Sequence, residues 1–574
     1  MVLRLMKYLG EFKKYAIIGP LLVVAEVILD VIIPTIMATL IDEGVEQGNL
    51  NVVLKVGVTL LVMALMSMLT GVLAGRFSAK ASSGLIRNVR KEMFKNVQNF
   101  SFSNIDKFSS SSIITRLTTD LTHVVMSFQM LIRVAVRAPL MMVLAFVMSY
   151  RLNPSLSVIY AFVIPVLAAI FLLIIRYVHP IFRRVFKIYD KLNQVVQENL
   201  SGIRVVKSFV REEHEKEKFG KVSGQIYSDF VKAEKVISLN QPAMQLAINT
   251  CIILLAWVGG NLIVGGSMST GALVGMFSYN TQMLMNLMML SNVFVMLIVS
   301  AAPVQRIIEI LNEKSDLTDP ANPIYGLDDG SVIFNDVDFS YVGTEEKRVI
   351  KKASLSVRSG EVVGILGGTG SGKSTLVQLI PRLYDVTGGS VIVGGRDVRE
   401  YSIDSLRGEV AMILQKNVLF SGTIKENLRW GDPDATDEEV QHACELAQIH
   451  DFISELPKGY DTYVEEGGSN FSGGQKQRIC IARALLKSPK IIIFDDSTSA
   501  VDTHTDALLR KAMREEIPGT TKFIITQRIS SIEDADKIIV MNEGVIEDIG
   551  THEELLDKNR IYREVFISQQ QAVS

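Results

Sequence analysis

Six long apolar stretches dominate the first half of the chain, and polar segments separate them. A helix that crosses the hydrocarbon core of a bilayer needs ~20 consecutive, mostly apolar residues. The stretches that reach this length are 16–40, 53–74, 128–149, 155–175, 243–264 and 272–302. The pattern therefore predicts six transmembrane helices, with membrane lipid as their surroundings.

The connections between these spans alternate in length and charge. The short ones are 41–51, 150–154 and 265–271, whereas the second and fourth connections are several times longer. Lys and Arg accumulate in the long connections, while the first short one is acidic. Basic residues near spans are retained on the cytoplasmic side, which predicts that the long loops and both termini are cytoplasmic. A helical period in both loops indicates that the spanning helices continue beyond the membrane and turn near 109–116 and 201–209.

The composition of the chain and the length of its apolar runs change after the sixth span. Residues 311–330 contain Pro and Gly in a polar context and are predicted to form a linker. Short β-rich runs, Gly turns and charged helices then follow, which is typical of a soluble α/β domain. The predicted fold class is multidomain, with a six-helix α transmembrane domain at 1–310 followed by an α/β domain at 331–574.

Composition narrows the possible partners. Hydrophobic residues make up 48% of the chain, and the formal net charge is −2. Because binding to nucleic acid draws on an excess of basic residues, we expect no nucleic-acid partner. The three cysteines form no closely spaced pair, which predicts small buried side chains and not a metal site.

The first candidate site of the α/β domain is a phosphate-binding loop. The apolar run 362–366 predicts a buried strand, and an apolar helix follows the loop. The loop between them consists of Gly367, Gly368, Thr369, Gly370, Ser371, Gly372, Lys373, Ser374 and Thr375. Its glycines let backbone N–H groups close on phosphates, Lys373 reaches the outer phosphates, and the Ser374 hydroxyl is suited to ligate Mg²⁺. Asp495 ends a second apolar run and is the predicted partner for Mg²⁺, so ATP and Mg²⁺ are the expected cofactors.

The segment 471–478 reads Phe-Ser-Gly-Gly-Gln-Lys-Gln-Arg and resembles the signature of ATP-binding-cassette (ABC) ATPases. The resemblance covers essentially the whole chain, because six spans followed by one cassette is the layout of an exporter half-transporter. It implies that Tyr341 stacks on adenine and that Gln415, the Q-loop glutamine, is a metal ligand and a catalytic residue. It also implies that the signature contacts ATP held by the opposite cassette, through Ser472, Gly473, Gly474 and Gln475. Residues 499–502 resemble the D-loop of the same family.

Two departures from the family pattern fall on the groups that act at the γ-phosphate. Asp496 stands where the family carries the glutamate that polarises the attacking water, and Gln527 stands where it carries a histidine that contacts the γ-phosphate. The shorter carboxylate would sit roughly 1 Å back, and a misplacement of that size costs ~10²-fold in rate. Gln527 is neutral at every pH and offers weaker charge stabilisation. The pair resembles the degenerate-site subunit of bacterial heterodimeric multidrug exporters, which implies a second, non-identical half-transporter in the inner membrane.

Charged and methionine-rich positions mark the predicted transport path. Glu26 and Asp30 lie within the first span, and Arg133 and Arg137 lie within the third. They form either mutual buried pairs or a polar patch that attracts cationic substrates. The sixth span is rich in Met, whose flexible side chains suit either a packed core or the wall of a cavity for drug-like molecules.

Three functions follow from this pattern. The first is ATP-driven export of amphiphilic small molecules as one half of a heterodimer, with hydrolysis mainly at the partner's site. The alternatives are a lipid or peptide exporter on the same scaffold, and an ATP-gated regulator or channel with little pumping. The six spans exclude a soluble ABC protein that acts on DNA or ribosomes.

Overall fold

The computed structural model describes residues 2–497 and 502–573. The chain divides into two compact units. The membrane unit contains Met1–Gln98 and Ser110–Glu313, and the α/β unit contains Asn99–Ser109 and Lys314–Ser574. The predicted fold class is confirmed, because helices long and apolar enough to cross a membrane precede an α/β domain.

Helices make up the first part of the chain. In chain order they are α1 (Lys13–Thr39), α2 (Leu50–Gln98), α3 (Phe102–Phe108), α4 (Ser110–Thr115), α5 (Leu121–Leu152), α6 (Pro154–Ser201), α7 (Ile203–Ser208), α8 (Glu212–Ile237), α9 (Asn240–Val264), α10 (Thr270–Val299) and α11 (Ala301–Asn312). Of these, α3 belongs to the α/β unit. Within the described residues, six helical stretches are long and apolar enough to cross a membrane: Arg4–Val45, Leu50–Gln98, Ser110–Leu152, Pro154–Ser201, Glu212–Val264 and Thr270–Val299.

Local sequence fixes where two of these helices begin. The Asn153 side chain accepts a hydrogen bond from the Leu156 N–H at 3.1 Å, and Pro154 occupies the first turn of α6. Ser269 caps α10 in the same way, because its hydroxyl accepts from the Ala272 N–H at 3.2 Å. Caps of this kind satisfy N–H groups that a helix start leaves without partners.

The methionines of α10 differ in burial. Met276 and Met283 are fully buried in a core shared with α1, α5, α6 and α9. The Tyr160 hydroxyl donates to the Met276 carbonyl at 2.9 Å and ties α6 to α10. Met285 and Met289 are exposed. Part of the methionine pattern therefore serves packing, and part faces outward from this chain.

The intramembrane charges form a network centred on one arginine. The Arg137 guanidinium on α5 donates to Asp30 at 2.8 Å and is also paired with Glu26, so one cation bridges two carboxylates of α1. Arg133 makes no ion pair within residues 2–497 and 502–573 and lies against Gly75 on α2. The mutual pairing that the sequence left open is therefore present for Arg137 and absent for Arg133.

The α/β unit is built on two main sheets. The strands are β1 (Val332–Phe339), β2 (Ile350–Val357), β3 (Val362–Gly367), β4 (Gly388–Val393), β5 (Arg396–Asp397), β6 (Val410–Ile413), β7 (Gly422–Thr423), β8 (Tyr463–Val464), β9 (Ile491–Asp495), β10 (Thr521–Ile525), β11 (Lys537–Asn542) and β12 (Val545–Gly550). One sheet has the order β2-β1-β4-β5 and is antiparallel, and the other has the order β12-β11-β3-β10-β9-β6. Strands β11, β3, β10, β9 and β6 are parallel. The carboxyl ends of β3, β10 and β9 consequently meet at one edge, where ligands bind in open α/β sheets.

The helices of this unit connect and flank the strands. They are α12 (Lys373–Gln378), α13 (Ile403–Glu409), α14 (Ile424–Leu428), α15 (Asp437–Leu446), α16 (His450–Ser454), α17 (Gly473–Leu486), α18 (Thr503–Glu516), α19 (His552–Lys558) and α20 (Arg560–Val573). Two buried apolar clusters fill the space beside the six-stranded sheet, and β9 contributes to both of them. The predicted Cys environments are confirmed, since all three cysteines are buried and free.

A short piece of the first long loop folds as part of the α/β unit. Helix α3 begins at a capping box in which Ser101 and Asn104 exchange hydrogen bonds. The Ser103 hydroxyl donates to Asp316 at 2.6 Å. This piece lies just before the turn that the sequence predicted near 109–116.

Candidate functional site

The phosphate loop joins β3 to α12 and closes around its own lysine. The Lys373 ammonium donates to the carbonyls of Gly367 and Gly368, each at 2.8 Å. Gly370 and Gly372 have φ values of 82° and 95°, which only glycine adopts without strain. A Cβ at Gly372 would also lie 2.8 Å from Ile350. The predicted loop residues therefore form one compact turn at the start of a helix.

Burial sets the protonation behaviour of the two groups at the base of the loop. Burial lowers the pKa of the Lys373 ammonium, and the charges of Asp496 and Asp495 act in the opposite direction. Burial also raises the pKa of the Asp495 carboxyl, which the hydrogen bond from Ser374 partly offsets. Each group carries a desolvation cost that a bound ion of opposite charge would relieve.

Ser374 and Asp495 meet as the sequence predicted. The Ser374 hydroxyl donates to Asp495 Oδ1 at 2.7 Å, which joins the phosphate loop to the end of β9. Hydroxyl and carboxylate oxygens are hard ligands, and Mg²⁺ is held by one or two such groups together with phosphates and water. The residues present therefore fit Mg²⁺.

The structure also brings together two predicted catalytic residues. The Asp496 N–H donates to the Ile525 carbonyl at 3.0 Å, which fixes its backbone against β10. Asp496 adopts φ 48°, a left-handed conformation that Asp tolerates better than most residues. The Gln415 amide donates to Asp496 Oδ2 at 3.4 Å. Gln415 and Asp496 thus face one another beside the phosphate loop.

Gln527 follows the neighbouring strand β10 and is exposed. The sequence grouped its side chain with Asp496, but in the described part of the chain no hydrogen bond joins the two side chains. Its backbone carbonyl accepts a hydrogen bond from the Gln569 side chain at 2.6 Å. Gln527 is therefore held at this edge of the sheet by its backbone.

An aromatic cluster surrounds the tyrosine predicted to stack on adenine. Tyr341 packs edge-on against Phe339 and Tyr384, with ring centroids 4.8 and 5.1 Å apart. The hydroxyls of Tyr341 and Thr375 are hydrogen-bonded at 3.0 Å. Tyr341 is 46% exposed. It combines an accessible ring with a fixed position next to the phosphate loop.

Sequence reasoning missed the partners of this cluster. The Tyr384 hydroxyl donates to Asp106 Oδ2 at 2.9 Å, and its ring packs on Phe102. Burial raises the pKa of Tyr384, and the Asp106 carboxylate adds to the effect. Because Asp106 and Tyr384 are far apart in sequence and belong to no motif, no local signal could have paired them. Helix α3 is thereby linked to the ring that Tyr341 contacts.

We expect Tyr384→Phe to loosen α3 while leaving nucleotide affinity unchanged. The ring against Tyr341 stays, and only the donor to Asp106 is lost, a hydrogen bond to a charged group worth ~1.5–3 kcal/mol. Hydrogen exchange of residues 102–108 in the full protein should accelerate about tenfold or more. The control is Tyr325→Phe, because Tyr325 is exposed and packs on none of these rings. Unchanged exchange in Tyr384→Phe would show that the hydroxyl does not hold α3.

The signature residues form a second exposed motif. Ser472 caps α17: its hydroxyl accepts from the Gln475 N–H at 3.3 Å, and its own N–H donates to Gln475 Oε1 at 2.8 Å. Ser472 and Gly473 are exposed, so the partly positive N-terminus of α17 is presented at the surface. Within the described residues, no hydrogen bond connects this motif to the phosphate loop of the same chain. Of the predicted D-loop, 499–501 lie outside the described residues.

Comparisons with known proteins agree with this arrangement. Residues 16–287 match the family "ABC transporter transmembrane region", and residues 350–499 match the family "ABC transporter". The "Uncharacterized ABC transporter ATP-binding protein YfiB" of Bacillus subtilis is 36% identical over 86% of this chain and 85% of its own length. The "Probable multidrug resistance ABC transporter ATP-binding/permease protein YheI" of the same organism is 35% identical over 75% of this chain and 73% of its own.

A solved structure shares the fold. It is described as "Structure of a bacterial Atm1-family ABC exporter with ATP bound", with a TM-score of 0.82, 24% identity, and coverage of 98% of this chain and 99% of that one. Fold and site together define a multi-pass membrane protein with an exporter-type fold and an ATPase domain. The chain belongs to the ABC transporter family.

Proposed function

We propose that this chain is one half of a heterodimeric, ATP-driven exporter of amphiphilic small molecules in the inner membrane. Its N-terminus, long loops and ATPase domain are cytoplasmic, and its domains are 1–310, 311–330 and 331–574. The observation that carries the proposal is the combination of Asp496 and Gln527 in an otherwise complete nucleotide site.

The proposed nucleotide site uses the groups that the fold brings to one edge. Tyr341 contacts adenine, and the phosphate loop, including Lys373, binds the phosphates. Ser374, Asp495 and Gln415 hold Mg²⁺, which when bound neutralises phosphate charge. On binding, Lys373 exchanges its two carbonyl partners for phosphate oxygens. That exchange relieves the desolvation cost of its ammonium.

Hydrolysis at this site is weak because the Asp496 side chain is one methylene shorter than the glutamate that the family carries at this position. Gln415 already lies 3.4 Å from Asp496 Oδ2. The backbone of Asp496 is tied to Ile525, so it cannot shift to compensate for the missing methylene. A shortfall of roughly 1 Å lowers the rate ~10²-fold. Gln527 adds no cationic form to stabilise the transition state.

The intact signature gives this chain its role in catalysis. Ser472 and its helix start are exposed and complete. Because N–H groups at a helix start bind anions, they are suited to the γ-phosphate of ATP held by a second cassette. A chain with a weak site and a complete signature is expected to serve a partner that has a competent site.

The second long loop supports assembly with another chain. Its tip around α7 exposes Val205, Phe209 and Val210, by 60%, 72% and 80%. The resemblance to ABC exporters implies that this tip reaches the cassette of the partner subunit. Burial of these apolar side chains at a partner would supply part of the free energy of association.

The substrate class rests on the outward-facing methionines and on the charge network. Met285 and Met289 are exposed on α10 and suit apolar molecules of varied shape. The name of the relative YheI refers to multidrug resistance and supports the same class for this chain. Arg137 is engaged by two carboxylates, so its charge is directed at Glu26 and Asp30.

The chain alone is expected to bind ATP and to turn it over slowly. Without a different partner subunit, every nucleotide site contains the short Asp496 carboxylate and Gln527. The ATP turnover rate should therefore lie ~10²-fold below that of a typical exporter cassette. The measurement is ATP affinity and ATPase rate of purified chain in nanodiscs, with the oligomeric state recorded in the same sample. Lys373→Ala is the control for site-specific binding. Rapid ATPase in a verified homodimer would contradict the proposal.

A further inference from the structure

The C-terminal helix α20 holds the segment that carries Gln527 (residues 526–532) through a pair of hydrogen bonds, the grip. A single side chain makes both contacts: the Gln569 amide donates to the Gln527 carbonyl at 2.6 Å, and Gln569 Oε1 accepts from the Ile529 N–H at 2.9 Å. The two backbone groups flank one residue, so the primary amide pairs with the chain much as a neighbouring strand would. All three residues belong to the α/β unit.

Helix α20 is itself anchored, so Gln569 is a fixed point. The Tyr562 ring is fully buried, and its hydroxyl is hydrogen-bonded to His552 Nδ1 at 2.7 Å. The Arg563 guanidinium donates to the Leu556 carbonyl at 2.6 Å. Gln569 lies two helical turns after Tyr562 and therefore on the same side of α20. The anchored face of the helix is the one that presents the amide.

The gripped segment also carries hydrogen bonds of its own: the Ser531 N–H donates to the Arg528 carbonyl at 3.2 Å, and the Ser531 hydroxyl donates to Asp506 at 3.0 Å. Its start is tied to the sheet by the Thr526 N–H, which donates to Ile365 at 3.4 Å. A local bond follows, from the Arg528 N–H to the Thr526 hydroxyl at 3.1 Å. The Gln527 side chain is exposed. Its position therefore depends on the backbone, and Gln569 satisfies the backbone groups on either side of Arg528.

We propose that Gln569 is a positioning residue for the γ-phosphate side of this ATP site. By holding the backbone on both sides of Arg528, it fixes where the Gln527 side chain begins, and so the C-terminal helix sets the geometry of the site. Functional groups must be held within ~0.5 Å of their productive positions, and Gln569 bonds the Gln527 carbonyl itself, the backbone group adjacent to that side chain. The expected effect on the bound nucleotide rests on the proposed role of Gln527. The two hydrogen bonds of Gln569 do not depend on that role.

Three variants separate the two hydrogen bonds from general changes to the helix. Gln569→Leu keeps the shape of the side chain and removes both bonds. Gln569→Glu keeps the acceptor for the Ile529 N–H but places a carboxylate oxygen against the Gln527 carbonyl. Gln570→Leu is the matched control, because Gln570 is exposed on the same turn.

Hydrogen exchange of residues 526–532 in the full-length protein, in nanodiscs without nucleotide, tests the grip. Loss of a hydrogen bond of ordinary strength accelerates exchange about 5- to 10-fold, which is the result expected for Gln569→Leu. Gln569→Glu should show an intermediate change, and Gln570→Leu none. Exchange in Gln569→Leu equal to wild type would overturn the proposal, as would an equal increase in the Gln570→Leu control.

The same measurement with ATP and with ADP tests the consequence for the site and needs no hydrolysis. In the wild type, ATP should protect 526–532 more than ADP does, and Gln569→Leu should lose this difference while its ATP affinity changes less than twofold. Retention of the difference in Gln569→Leu would overturn the positioning role. Equal protection by ATP and ADP in the wild type would instead refute the proposed γ-phosphate role of Gln527, while the nucleotide-free comparison still decides the grip.

Discussion

Ser472→Arg should nearly abolish ATP turnover of the heterodimer, whereas Asp496→Asn should change it only modestly. The serine caps α17 through the Gln475 N–H and presents an exposed helix start. Arginine removes the cap and fills the space that the partner's γ-phosphate would occupy. In the proposed heterodimer Asp496 serves only the weak site, so its loss should remove little of the total rate. The measurement is the ATPase rate of each variant complex in nanodiscs.

A second helix cap provides the control for this comparison. Thr436 caps α15 with the same reciprocal pattern, in which its hydroxyl accepts from the Glu439 N–H at 3.2 Å. Loss of a cap costs ~1 kcal/mol of stability, and Thr436→Arg should show that cost with near-normal ATPase. If Asp496→Asn proved the more damaging change and Ser472→Arg the milder one, the assignment of the weak and competent sites would be reversed.

Asp496→Glu combined with Gln527→His should restore hydrolysis at this chain's own site. Glutamate supplies the missing reach beside Gln415, and histidine supplies a γ-phosphate contact that can carry charge. Because both groups act on one transition state, the double variant should exceed the sum of the single variants. The expected gain is ~10²-fold over the unmodified site.

Backbone hydrogen bonds hold both positions within the α/β unit. The Asp496 N–H is bound to Ile525, and the Gln527 carbonyl is bound to Gln569. The measurement is the ATPase rate of the heterodimer after removal of the partner's catalytic carboxylate, so that only this site contributes. Adding Lys373→Ala to the double variant should abolish the gain. If the double variant did not hydrolyse ATP although the partner's signature was intact, these two residues would not be the cause of the weak hydrolysis.

The chemistry-bearing segments were predictable because their residues are contiguous. The phosphate loop, the strand that ends in Asp495 and the signature helix each bring their groups together within a few residues. Strand and helix periods then dictate local geometry. The sequence assigned Ser374 and Asp495 to one Mg²⁺, and the structure brings the two side chains into contact because β3 and β9 end at one edge of the sheet. The individual roles of these residues and the domain limits stay predictions.

The sequence by itself determined the six spans, the class of the second domain and the order of its motifs, because apolar length and short-range spacing encode them. Only the tertiary structure decided that Tyr384 pairs with Asp106, that Arg137 bridges Glu26 and Asp30, and that Gln569 grips the backbone at Gln527. These contacts join residues remote in sequence, and even where the sequence singled out a residue, as with Arg137 and Gln527, it did not identify the contact. Such pairs depend on how elements pack in three dimensions, and no local period or motif in the chain records that packing.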